Sequence, residues 1–277
     1  MKNYNVFNYH LTNACNYHCA YCFGKFENQK HLNAGDAKRV IDNIHAYFEA
    51  NGVKDGRINF AGGEPLLYPH LDELIDYTHS LGMLASIVTN GSLLTVERVR
   101  GWKGKVSQIG ISIDSPNEET NCLIGRCCNE KVKDLAYWEE LAKVIHECGI
   151  TLKVNTVVSA ANLSEDFTRL YNVLRPDKVK MFQVHMVKGI NDSAESYAIT
   201  RADYTAFVAR HKVAGLTIVE ESEKSMENSY LMVNPEGHFQ LNDDGSYNTY
   251  GDCKTESLTD ILPKVPMDNE RFGARYA

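Results

Sequence analysis

From residue 4 to residue 187 the hydrophobic pattern switches repeatedly between a two-residue and a 3.6-residue period. Strand-type segments at 4–12, 57–61, 83–89, 106–113, 150–158 and 178–187 alternate with helix-type segments at 34–51, 71–81, 95–101, 130–148 and 164–174. The first helix shows the pattern well: apolar residues at 37, 40, 41, 44, 47 and 48 recur at helical spacing and stop at Asn51-Gly52. Six strands separated by helices predict βαβ units, hence an α/β fold with a parallel sheet and helices outside it. In such folds the carboxyl ends of the strands carry the chemistry, so motifs directly after strands matter most. After residue 190 the pattern weakens to a helix over 200–213 and a hairpin over 229–241, turning at Pro235-Glu236-Gly237. The expected organisation is a core over 1–190 and an extension over 191–277 that closes the substrate pocket, compact as one domain.

Lys and Arg number 29 against 36 Asp and Glu, a formal charge of −7. A net acidic surface argues against sequence-independent binding along a nucleic-acid backbone. It leaves room for a small anion held in a local basic pocket. No apolar run approaches the roughly 18 residues a membrane span needs, and MKNYNVFNYHLT has no apolar signal core. The expectation is a cytoplasmic protein that uses neither membrane nor nucleic acid as a direct partner.

Three of the 8 cysteines fall in one loop right after the first strand, where residues 15–23 read CNYHCAYCF. Clustered thiols in such a chain point to metal binding or catalysis rather than disulfides. Structural zinc wants four closed ligands, usually two Cys pairs, and here only His18 lies near a single triplet. Cys15, Cys19 and Cys22 suit a [4Fe–4S] cluster with one iron left open to a ligand. Cys122, Cys127, Cys128 and Cys148 read as structural or incidental.

The C-x3-C-x2-C run followed by an aromatic resembles the radical S-adenosylmethionine (SAM) superfamily. Phe60-Ala-Gly-Gly-Glu-Pro65, after the second strand, is similar to that family's GGEP motif. Ile111-Ser-Ile-Asp-Ser115, at the end of the fourth, falls where the family often has ribose-binding polar residues. The resemblance sharpens to viperin and its microbial relatives, the SAM-dependent nucleotide dehydratases. It runs through 8–23, 58–65, SIVTNGSL (86–93), 111–115, LIGR (123–126), KVNTVV (153–158), KVKMFQ (178–183), ARHK (209–212) and ESEKSMENSYL (221–231). The chain departs from better-known members in the CCNEKVKD after LIGR; a shorter tail, at FGARYA, and no N-terminal membrane-associated helix are further departures to be expected of a microbial-type enzyme.

The resemblance implies a partial (β/α)6 radical-SAM barrel with a C-terminal extension. It implies a lyase that uses a [4Fe–4S] cluster and SAM to take hydrogen from C4′ of a nucleoside triphosphate. Loss of the 3′-hydroxyl as water then gives a 3′-deoxy-3′,4′-didehydro nucleotide, a chain terminator suited to antiviral defence. CTP is the favoured substrate, with UTP and GTP as the other candidates, and an electron donor such as flavodoxin or ferredoxin is a partner. By the same resemblance Tyr21, Gly62, Gly63, Glu64, Asn90, Ser92, Ser112, Arg126 and Asn155 belong to the SAM site, Arg126 facing the methionine carboxylate. The glycine pair is expected to let backbone approach a ligand closely. Asn8, His10, Arg57, Lys153, Lys178 and Lys180 belong to the nucleotide site. A triphosphate carries about four negative charges, so cations must gather locally, and Lys178 and Lys180 share one strand face. No P-loop GxxxxGK[ST] occurs. Tyr230, in an alternating SYLMVN strand, corresponds to a tyrosine that supplies hydrogen late in the reaction. Two alternatives remain at this point: a radical SAM enzyme acting on a peptide or cofactor, and a zinc-dependent interaction module. The first is disfavoured because only Cys253 lies beyond Cys148, too few for an auxiliary cluster.

Overall fold

A computed structural model describes residues 4–24, 30–212, 215–243 and 245–276. In chain order its main elements are β1 (Val6–His10), α1 (Ala34–Asn51), β2 (Arg57–Ala61), α2 (Leu71–Ser80), β3 (Leu84–Thr89), α3 (Val96–Gly101), β4 (Val106–Ser112), α4 (Glu118–Leu123) and α5 (Leu135–Glu147). There follow β5 (Thr151–Val158), α6 (Thr168–Leu174), β6 (Lys178–Gln183), α7 (Arg201–Arg210), β7 (Ile218–Glu221), α8 (Glu223–Met226), β8 (Met232–Val233), β9 (His238–Asp243), β10 (Ser246–Asp252), α9 (Leu258–Ile261) and α10 (Asn269–Tyr276). All six expected strands are present, and the architecture is α/β.

The chain divides into two compact units. One comprises residues up to Cys15, Gly24–Val88 and Ser225 onward; the other comprises Asn16–Phe23 and Thr89–Lys224. The stretch after residue 190 therefore contributes to both.

In the first unit β1 runs parallel to β2 and β8, and β2 parallel to β3, while β8–β9 and β9–β10 are antiparallel. One face of this sheet packs on helices. Phe7 meets Tyr47 and Phe48 of α1 edge-on, at centroid separations of 5.6 Å in both cases, and Val40, Ile41 and Ile44 are fully buried. Asn33 caps α1 by accepting from the Asp36 amide, and Gly52 ends it in the left-handed region, where glycine carries no Cβ penalty. Along each strand the alternate residues point to the other face, and there Asn8, Asn59, Ser86 and Gln240 share one row.

In the second unit β4, β5, β6 and β7 are all parallel. Leu152, Val154, Val179 and Met181 are buried on the helix side. Lys153, Asn155, Lys178 and Lys180 take the opposite face, as the two-residue period requires.

Some expected boundaries shift. The helix expected at 130–148 starts only at Leu135, because Asn129 and Glu130 take positive φ beside an isolated Cys128–Lys131 bridge. The strand expected at 178–187 ends at Gln183, since the Asn191 side chain then takes over the backbone by accepting from the Val187 amide and donating to the His185 carbonyl. The helix expected at 200–213 ends at Arg210; residue 213 lies outside the described residues. The hairpin turns at 234–237 as expected, but its first strand is only Met232–Val233, so Tyr230 precedes the strand rather than lying within it.

Candidate active site

The cysteine loop is held by backbone and side-chain bonds on both sides of the unit boundary. In the first unit, Gly63 N–H donates to the Thr12 carbonyl at 2.6 Å and Glu64 N–H to the Ala14 carbonyl at 2.8 Å. A Cβ on Gly63 would stand 2.4 Å from the Ala14 oxygen, and one on Gly62, at φ +146°, 2.5 Å from the Thr12 oxygen. The glycines allow a close approach to the chain's own backbone at residues 12–14. Glu64 is fully buried and caps the following turn by accepting from Leu66 N–H at 3.0 Å.

In the second unit, His18 N–H donates to the Gly125 carbonyl and Ala20 N–H to that of Ile124, both at 3.0 Å. The loop thereby pairs with the LIGR segment, and Gly125 is needed because a Cβ there would meet the His18 oxygen at 2.3 Å. Asn191 and Ser193 donate to the carbonyls of Tyr21 and Ala20 at 3.0 and 2.7 Å. Asn16 joins Asn90 and Ser92 in a short network. Asn90 Nδ2 donates to Asn16 Oδ1 at 2.9 Å, Asn16 Nδ2 donates to Ser92 Oγ at 2.9 Å, and Ser92 Oγ donates to Asn90 Oδ1 at 2.7 Å. Asn16 had no role in the sequence reading, although it stands inside the cysteine motif.

Beside this network Asn90, Ser112 and Arg126 line a common cleft with Tyr17, Asn121 and Trp138. Three residues expected at the SAM site are thus brought together. Arg126 Nε donates to Asp114 Oδ2 at 2.5 Å and Tyr21 Oη donates to the same oxygen at 2.9 Å. Burial disfavours the Arg126 charge, but the Asp114 carboxylate outweighs it and holds the guanidinium charged, above its ordinary range. Burial, then the same carboxylate, pushes the Tyr21 phenol well above its usual value. Tyr21 is therefore a buried donor to Asp114, with its ring edge-on to Tyr197 at 5.6 Å.

The cations of β5 and β6 fall in adjacent register: Lys153 opposite Lys178, and Asn155 opposite Lys180. Gly110 of β4 faces Lys153, and a Cβ there would meet Lys153 Cε at 2.8 Å and Asn155 Nδ2 at 3.0 Å. The missing side chain lets the lysine stem lie across β4. Asn155 Oδ1 is buried without a hydrogen-bond partner. Lys180 is itself buried and pairs with the buried Glu221 at 2.7 Å.

The first unit carries a second polar row. Ser86 Oγ donates to Asn59 Oδ1 at 3.0 Å, Asn59 Nδ2 to Asn8 Oδ1 at 2.8 Å, and Asn8 Nδ2 to the Leu231 carbonyl at 3.1 Å. The sequence reading named Asn8 but missed Asn59, Ser86 and Gln240, whose buried Oε1 lacks a partner. Gln240 shares the row, since it is paired with Met232, which is paired with Asn8. His10 ends β1 opposite Ala61, and burial lowers its pKa to about 4, so it is neutral near pH 7. Arg57 opens β2 beside Val6 and Leu84, its buried Nε without a partner. Tyr230, half-buried, lies under the Arg275 guanidinium, 3.7 Å from its ring centroid, and Arg275 donates to the Ser225 and Ser229 carbonyls at 2.6 Å each.

Cys19 is buried and Cys15 and Cys22 half-buried, all as thiols, and Cys22 N–H donates to the Cys19 carbonyl at 3.2 Å. Among the described residues no three His, Cys, Asp or Glu side chains are gathered as a ligand set. The fit to a cluster rests instead on the donors' chemistry: three soft thiols in a loop of eight residues, with its backbone fixed by the bonds above.

Residues 9–173 match the radical SAM superfamily model. A crystal structure of Streptococcus suis SuiB bound to its precursor peptide SuiA superposes with a TM-score of 0.71 at 16% identity, over 97% of this chain and 66% of that one. The structure of anSMEcpe with bound AdoMet superposes at 0.67 and 14% identity, over 98% and 82%. At those identities the likeness speaks for the fold alone. The chain belongs to the radical SAM superfamily, whose enzymes use a [4Fe–4S] cluster together with SAM.

Sequence relatives narrow this further. The chain is 36% identical to an S-adenosylmethionine-dependent nucleotide dehydratase of Flammeovirga pacifica over 87% of this chain and 83% of the relative. It is 31% identical to one of Selenomonas ruminantium over 98% of both. Within the superfamily it is a member of the SAM-dependent nucleotide dehydratases, and an enzyme of that kind; the zinc-module reading is set aside. Among the described residues no helix is long and apolar enough to cross a membrane.

Proposed function

We propose that this enzyme dehydrates a nucleoside triphosphate, CTP before UTP or GTP, to its 3′-deoxy-3′,4′-didehydro analogue. Such a product would end chain growth when a viral polymerase incorporates it, which makes antiviral defence in the cytoplasm the natural setting. Cys15, Cys19 and Cys22 would hold a [4Fe–4S] cluster, reduced by a flavodoxin or ferredoxin. When bound, that cluster supplies the electron that cleaves SAM into methionine and the hydrogen-abstracting 5′-deoxyadenosyl radical.

The chain's own residues bind, orient and exclude water. Arg126 presents cationic N–H groups to the SAM carboxylate, and Asn90, Ser92, Ser112 and Asn155 offer hydrogen bonds around it. Tyr21, Gly62, Gly63 and Glu64 fix the loops that shape this site. Lys153 and Lys178 would gather positive charge for the triphosphate, with Lys180 beside them held by Glu221; Arg57, Asn8 and His10, in the other unit, are assigned to nucleotide binding on the family resemblance. Tyr230 would supply the one electron and one proton that balance departure of the 3′-hydroxyl as water, its phenoxyl then being re-reduced by the same electron donor.

The observation that carries this reading is the register of β5 and β6, which sets Lys153 beside Lys178 and Asn155 beside Lys180. An acidic chain concentrating three lysines on one polar strand face has a use for them when the ligand is polyanionic. The test is anaerobic incubation of reconstituted enzyme with SAM, a reductant and each of the four triphosphates, followed by mass spectrometry. Loss of one water from CTP, matched by 5′-deoxyadenosine, is expected. Deoxyadenosine with no triphosphate altered would refute the reading.

A further inference from the structure

Asp114 is 1% exposed and every oxygen of its side chain is engaged. Oδ2 accepts from Arg126 Nε at 2.5 Å and from Tyr21 Oη at 2.9 Å, and Oδ1 accepts from the Val157 amide at 2.8 Å. Its carbonyl accepts from Asn162 Nδ2 at 2.6 Å, and Asn162 also donates to the Val157 carbonyl at 2.7 Å. One carboxylate thus joins a strand end, an arginine 12 residues on, and a tyrosine 93 residues earlier that sits between Cys19 and Cys22.

The geometry of Arg126 gives this junction a purpose. Its Nε is turned to Asp114 and Nη1 reaches the Ser112 carbonyl at 3.4 Å. Its other N–H groups have no partner among the described residues, and the side chain lines the cleft with Asn90 and Ser112. A guanidinium is a rigid planar fork, so fixing Nε fixes where the opposite edge points. An arginine loose by an ångström would lose the paired contacts that a carboxylate ligand needs.

We propose that Asp114 is the positioning residue of the SAM site, holding the carboxylate-binding arginine and the cysteine loop in one fixed arrangement. This rests on the reading that Arg126 faces the methionine carboxylate. Asp114 touches neither ligand; it acts through Arg126 and Tyr21. Removing its charge leaves the half-buried Arg126 free to turn, and frees the phenol that ties the loop.

The test compares SAM with 5′-methylthioadenosine, which keeps the adenosine and lacks the amino acid carboxylate. Both dissociation constants are measured by equilibrium dialysis on reconstituted enzyme. Asp114→Asn keeps the volume and one acceptor oxygen. It should raise the SAM Kd at least tenfold while the methylthioadenosine Kd stays within threefold. A rise common to both ligands, as a general loss of structure would give, overturns the proposal, and so does no rise in either. Should Asp114→Asn not fold, Tyr21→Phe removes one donor only. It should raise the SAM Kd several-fold with methylthioadenosine unchanged, and an unchanged SAM Kd overturns the proposal. Arg126→Gln separates the layers. If it leaves the SAM-to-methylthioadenosine ratio unaltered, the carboxylate reading itself fails. If it shifts the ratio and Asp114→Asn does not, only the positioning role of Asp114 fails.

Discussion

Replacing Gly63 by alanine adds one methyl group where there is no room for it. The new Cβ would lie 2.4 Å from the Ala14 oxygen and 2.5 Å from that of Asn13, both backbone atoms. Ordinary C···O contacts begin at about 3.3 Å, so backbone must move by roughly 1 Å. Overpacking of this kind costs about 1–3 kcal/mol. The shift also strains two hydrogen bonds, Gly63 N–H to Thr12 and Glu64 N–H to Ala14, each worth about 1 kcal/mol. Gly63→Ala should therefore lose roughly 3–5 kcal/mol of stability, and the displaced backbone leads directly into Cys15. The control is Gly82→Ala, where φ is +75° and a Cβ meets nothing within 4 Å; only the left-handed strain of about 1–2 kcal/mol applies there. Both variants are melted by circular dichroism, then reconstituted anaerobically and assayed for iron per chain. Gly63→Ala should melt well below Gly82→Ala and retain little iron, whereas Gly82→Ala should load normally. Full iron loading in Gly63→Ala would refute the claim that the glycine pair exists to seat the cysteine loop.

Other outcomes follow from the same structure. His10 has a folded pKa near 4 against an ordinary value of 6.5, so the unfolded chain binds its proton first on acidification. Its share of stability is intact above about pH 6.5 and falls by roughly 3 kcal/mol as the pH drops to about 4; denaturant titrations of His10→Gln should show a correspondingly smaller decline over that window. Lys178→Ala should weaken triphosphate binding by about 1.5–3 kcal/mol with the SAM Kd unchanged; equal turnover of a nucleoside and its triphosphate would contradict the phosphate role. Tyr230→Phe keeps the ring under Arg275 and should barely alter the melting temperature, yet should yield much less didehydro product per 5′-deoxyadenosine; unchanged coupling would make Tyr230 structural.

The strands and helices were legible because their hydrophobic period is set locally: α1 buries the very positions its pattern selects. β10 escaped notice because it is polar and buries no residue fully, and α4 because it buries none either. At the site, a local motif marks the cysteines and the glycine pair, but not the groups that they contact. Asp114 could not, although it lies in ISIDS, because its role depends on Tyr21 across 93 residues. Asn16 is likewise defined by Asn90, 74 residues away. Gly110 gave no sign of its purpose until the stem of Lys153 was seen lying across it. Sequence spacing reveals neighbours within one element, whereas partners across the sheet appear only with the register.

The most direct measurement follows a single atom. CTP carrying deuterium at C4′ is incubated anaerobically with reconstituted enzyme, SAM and reductant, and the 5′-deoxyadenosine is collected for mass spectrometry. The proposed reaction moves that deuterium into the 5′-deoxyadenosine and leaves, in equal amount, an unlabelled nucleotide that has lost its C4′ deuterium and its 3′-hydroxyl. Unlabelled 5′-deoxyadenosine accompanied by intact, still-deuterated CTP would contradict it.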